Sequence, residues 1–161
     1  MVTLSNVVAD WSSLYANHAA IRSVVLFAHI AGTLGGGGAA IAEDRGMLRA
    51  LREHDPAARH TQVLRLANAH RLVVLGLVLV VASGVLLLAA DLSTYLGSWF
   101  FWIKMAIVMA LIANGMILKA AEQRARAGDD DAWPRLRLTA MISLGLWFLA
   151  TLVGSVLPNV G

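Results

Sequence analysis

Predominantly apolar residues run along this chain in four stretches, at about 21–42, 72–90, 98–118 and 138–157. Each comes close to, or reaches, the roughly 20 residues that an α-helix needs to cross the hydrocarbon core of a bilayer. The runs are continuous and do not alternate. Open strands would leave backbone polar groups unsatisfied in lipid, so strands are not expected. The pattern predicts an all-α protein: a four-helix transmembrane bundle, up-down-up-down, with helices at about 21–53, 59–90, 98–124 and 134–157. These make one membrane domain, 21–157. Ahead of it, Val7, Trp11, Leu14, Tyr15 and His18 share a helical face, which predicts a short N-terminal interfacial helix within 1–20. That segment lacks the basic start and apolar core of a signal peptide, and Asp10 interrupts it. Asp55-Pro56 predicts a turn leading into the second helix, and 128–134 a loop with an acidic cap before the fourth.

The charged residues then orient the bundle. The first loop holds Arg45, Arg49, Arg52, Arg59 and Arg65, and the third Lys119, Arg124, Arg126, Arg135 and Arg137. The second loop and the C-terminal tail hold no Lys or Arg. The positive-inside rule puts loops one and three in the cytoplasm and both termini outside it. Trp11, Tyr15, Tyr95, Trp99 and Trp102 fit an outer aromatic belt. The expectation is a multipass protein of the cell inner (plasma) membrane, with the lipid bilayer as its first partner. Only 14% of the residues are charged, against about 25% in soluble domains, which agrees. The net charge of +3 is explained by the loops, so no nucleic acid partner is expected. The chain has no Cys, which excludes disulfides, thiolate-bound zinc and iron–sulfur clusters. No HExxH, GxSxG or P-loop motif and no intramembrane carboxylate pair points to hydrolysis.

Two residues stand out because lipid makes them expensive: His29 in the first run and Lys104 in the third. A central Lys costs roughly 2.5–3.5 kcal/mol on insertion scales. Counted from the outer starts of their helices they lie about eight and about seven residues in, hence at nearly one depth. A neutral imidazole is a common iron ligand, and a lysine beside it can hold an anionic group. Alternatively, the histidine is a structural hydrogen-bonder and the lysine snorkels to the interface. His29, Gly32, Thr33, Gly36, Ala40 and Glu43 form one helical stripe, beside the glycine run 35–38. Such a face suits close helix packing, docking of a partner copy, or room for a flat cofactor. A second polar level gathers Glu43, Asp44, Arg45, Asn68, His70, Arg71, Asn114 and Lys119, as a second site or an interfacial salt-bridge belt. His54, His60 and His18 are assigned no role. Helix four carries Ser143, Trp147, Thr151 and Ser155 on a face expected to look inward, while helix two reads as lipid-facing or packing surface.

Four membrane helices, Phe27-Ala28-His29-Ile30, Arg45 and Trp102-Ile103-Lys104-Met105 together resemble the HemJ-type protoporphyrinogen IX oxidases and the related CopD-like small membrane families. The resemblance spans about residues 21–120. It implies haem b, with His29 as the metal ligand and Lys104 at or near the iron or its propionates; Gly32, Gly36, Arg45 and His70 complete the candidate cofactor-binding residues. A membrane oxidoreductase follows as the expected activity, oxidising a porphyrinogen and passing electrons toward quinone or a respiratory partner. Two alternatives stay open. One is metal or small-solute transport, with Met105 and Met109 as Cu(I) ligands beside His29, or with the His29–Glu43 stripe as a proton path. The other is a non-catalytic subunit, or a homo-oligomer, that docks through its glycine face.

Overall fold

The computed structural model describes residues 3–55, 57, 58, 61 and 70–157, with His70 described by its backbone alone. Among these residues every regular element is a helix. Helix α1 spans Leu4–Asn17. Helix α2 spans Ala19–Ala50, α3 His70–Ala90, α4 Leu92–Gly97, α5 Trp99–Arg126 and α6 Ala132–Val156. Four of them, α2, α3, α5 and α6, are long and apolar enough to cross a membrane. The sequence places α2, α5 and α6 to within three residues at each end. The expected start of the second helix near 59 falls outside the described residues, together with Pro56, Arg59, His60, Arg65, Asn68 and the His70 side chain. The short α4, which the sequence reading leaves as loop, forms because the Asp91 carboxylate accepts from the Thr94 N–H at 3.2 Å.

α1 is tied to the end of α3. The Trp11 indole donates to the Leu86 carbonyl and the Ser12 hydroxyl to the Ala90 carbonyl, each at 2.8 Å. The Ala90 carbonyl belongs to the last turn of α3, where carbonyls have no intrahelical donor. Arg22, at the start of α2, does the same for the end of α1 by donating to the Tyr15 and Ala16 carbonyls. α2 stops at Ala50, not at 53, because Arg52 and Glu53 turn back with tighter bonds to Arg49 and Ala50.

The helices pack unevenly. α2 lies against α3 along its first half and against α6 along its second, while α5 packs on α6. Among the described residues α3 and α5 barely touch, and the first half of α2 hardly meets α5 or α6. The core is therefore concentrated where α2 ends. Met47 and Ala50 meet Ala121 and Ala125 of α5 and Ala132, Leu136 and Ala140 of α6, nearly all small side chains that let the backbones approach. One level up, Ala40, Leu111 and Trp147 pack together. We call this the basic end and the opposite one the aromatic end.

The acidic loop before α6 works differently from a cap. Asp131 sits at the N-cap without a side-chain bond. Asp129 instead receives Arg124 Nε at 2.7 Å and Arg124 Nη2 at 2.6 Å, and the Trp133 indole donates to Asp130 at 3.2 Å. This clasps α5 to α6 around Gly128, whose φ of +84° ends α5 in the left-handed conformation.

Candidate functional site

His29 comes from α2, near the aromatic end, and its imidazole rests on α3. Nδ1 lies 3.0 Å from Ser83 Oγ. The Ser83 hydroxyl, 3% exposed, gives its own hydrogen to the Leu79 carbonyl at 2.6 Å. Its oxygen is thus the acceptor and His29 Nδ1 the donor, which makes the ring the Nδ1–H tautomer and leaves the lone pair on Nε2. The Val80 carbonyl also lies within hydrogen-bonding reach of the ring. The ring lies close over Gly84, where an added Cβ would meet His29 Cε1 at 3.5 Å.

Ser83 and Gly84 were missed in the sequence, where helix two reads as plain surface. Their signal was present: Ser83 and Gly84 stand seven and eight residues after Gly76, on one helical face, in a run otherwise made of Val, Leu and Ala. Lys104 is half-buried, and its Nζ lies against α6, where a Cβ at Gly154 would meet it at 3.4 Å. No hydrogen bond joins His29 and Lys104. Each is seated by a small residue on its partner helix, and the ammonium is near enough to bear on the imidazole electrostatically.

The glycine stripe is used by the chain itself. A Cβ at Gly36 would come within 2.8 Å of Gly76 Cα, and one at Gly32 within 2.9 Å of Val80 Cγ2. α3 fills this face at Gly32 and Gly36, which leaves no room there for a flat cofactor, while Gly35 and Gly38 meet open space. The run also contains a π-helical turn, Thr33–Gly37. Such a turn takes one extra residue and rotates everything downstream by about 100°. Asp44, 3% exposed, thereby takes the buried place that α spacing offers to Glu43, which is only half-buried. Both carboxylates keep an oxygen buried and without a hydrogen-bond partner.

The remaining candidates scatter. Arg45 is exposed at the basic end, apart from His29. Asn114 is buried and donates to the Thr139 carbonyl at 3.0 Å, a bond between α5 and α6. Lys119 lines a groove of about 530 Å³ with Arg71, Glu122 and Arg126. Ser143 and Trp147 are buried as expected, but Thr151 and Ser155 are exposed and bond back to Trp147 and Leu152 of their own helix. A spacing of four residues overshoots one turn by about 40°, so the stripe drifts by roughly 120° over its length. Met109 is 64% exposed, so Met105 and Met109 do not face one inward site.

Among the described residues no three His, Asp or Glu side chains converge as a metal site. A haem iron asks for fewer protein ligands, one or two axial ones, and the Ser83 contact orients the His29 ring. Compared with protein-family models, curated proteins and solved structures, the chain matches none.

Proposed function

We propose that this chain is a multipass protein of a bacterial-type inner membrane that binds haem b through His29 and moves electrons within the bilayer. Its spans run up-down-up-down, with the basic end in the cytoplasm, both termini outside, and α1 in the outer interface. The observation that carries the reading is the Ser83 bond to His29 Nδ1, which leaves Nε2 as the ligating nitrogen. Two features support it. The first half of α2 is not closed over by α5 or α6, so a flat group has a side from which to approach. Lys104 supplies a half-buried cation for a propionate.

Haem bound there would supply one-electron chemistry. The chain's own part is to fix the ring axis through His29, hold its tautomer through Ser83, and neutralise carboxylate charge through Lys104. The substrate class suggested by the family resemblance is a porphyrinogen, with a quinone as acceptor. Protein purified from haem-replete cells should show a Soret band. His29→Ala should lose it, and Ser83→Ala should bind haem roughly 10–100-fold more weakly, as expected when an orienting partner is removed. A colourless wild-type preparation, or an undiminished band in His29→Ala, overturns the reading.

A further inference from the structure

We propose that the groove between α3 and α5 at the basic end is a binding site for a phospholipid of net negative charge. Arg71, Lys119 and Arg126 hold its phosphate, and an acyl chain lies along the seam between the two helices. The site is independent of the haem reading. Fifteen residues separate Lys104 from Lys119 on α5, about 22 Å along a helix.

Three observations carry it. First, there is room. The groove holds about 530 Å³ between two helices that barely touch among the described residues. Second, its polar lining is basic and stands where headgroups stand. Arg71 begins the α3 span and Arg126 ends the α5 span. Lys119, Glu122, Gln123 and Arg126 follow at spacings of three and four, so they form one stripe on α5. Glu122 has interactions of its own within the chain. Three cations against one carboxylate leave the lining positive whatever its partner. Guanidinium forks and an ammonium are the side-chain groups suited to phosphate, and basic pockets between membrane helices on the cytoplasmic side bind anionic headgroups. Third, the groove continues as apolar surface toward the middle of the bundle. Val74 and Leu75 line it one turn beyond Arg71. One turn deeper on each helix stand Val78 and Met116, both exposed, and a Cβ at Gly115 would meet open space.

A surface that is basic at its mouth and aliphatic along its depth matches the two ends of a lipid. A soluble phosphate would use the mouth alone and leave the aliphatic seam uncovered, so the test separates the two.

Native mass spectra of the full-length protein in detergent, supplied with equal amounts of phosphatidylglycerol and phosphatidylcholine, should show one phosphatidylglycerol retained per chain in preference. Lys119→Gln combined with Arg126→Gln should weaken that retention roughly tenfold or more. The same charge removed elsewhere at the basic end, by Arg52→Gln combined with Arg137→Gln, should leave it unchanged. Equal retention of the two lipids by wild type overturns the proposal. So does an equal loss in both double variants, which would assign the attraction to the basic end as a whole. Excess glycerol phosphate should not displace the lipid; displacement would make this a site for phosphate alone and sink the lipid assignment. A second measurement needs no variant. Phosphatidylglycerol with a photoreactive acyl chain should label wild-type protein on the peptides that contain Val78 or Met116. Labelling that bypasses both peptides counts equally against it.

Discussion

Whether a glycine matters depends on what stands opposite it. Gly36 and Gly35 are neighbours in one run, yet a Cβ on Gly36 would strike the backbone of Gly76, while one on Gly35 meets open space. Gly36→Ala should therefore destabilise the protein by about 1–3 kcal/mol, the usual cost of overpacking. Gly35→Ala should be neutral or stabilise by up to about 1 kcal/mol, since alanine is the better helix former. Thermal denaturation of the two variants in detergent checks this; equal midpoints would mean that the α2–α3 contact is not this close. The sequence displays the glycine run openly, but nothing in it says which of the four touches another helix. Likewise it shows His29, and only the fold reveals Ser83 beneath it.

Element ends in this chain are set by local chemistry. α5 turns into α6 through Gly128, at positive φ, and through the Arg124–Asp129 pair. Gly128→Ala should cost about 1–2 kcal/mol, because an L side chain resists the left-handed conformation. The Arg124 guanidinium, by hydrogen bonding, holds the Asp129 carboxyl below the usual carboxylate range. A lowered folded-state value stabilises the fold above the ordinary value, about 3.9, and the gain is lost as pH falls through the folded one. Wild type should thus melt higher than Asp129→Asn at neutral pH, and the gap should close in acid. A gap that persists in acid would assign the effect to something other than the charge. The helix boundaries were legible to within three residues for α2, α5 and α6, because apolar continuity stops where the loops begin. The π turn was not legible: a single extra residue per turn leaves hydropathy unchanged while rotating all that follows.

At the scale of the whole molecule, four long apolar helices, an aromatic end and a basic end describe a bundle with a direction. The chain has no cysteine, so single introduced ones report on sidedness. Arg52→Cys should react with a membrane-impermeant thiol reagent only from the cytoplasmic side, and Ser93→Cys only from the other. Reaction of both from one side would refute the proposed crossing pattern. Uneven packing gives the bundle its character. It is tight at the basic end, where alanines meet, and loose at the aromatic end, where α2 stands apart from α5 and α6.

The chain's order of residues alone determined that it is helical and that four stretches can cross a bilayer, because those properties follow from transfer energies summed along about 20 consecutive residues. It also marked His29 and Lys104 as unusual, since a polar residue in an apolar run is conspicuous without any knowledge of neighbours. Tertiary structure decided the rest: that α3 fills the glycine face, that Ser83 fixes the imidazole, that Lys104 sits on Gly154, and that Asp44 and not Glu43 is enclosed. Each of these depends on which face of one helix meets which face of another. A rotation of one residue position changes that pairing while leaving the apolar pattern intact.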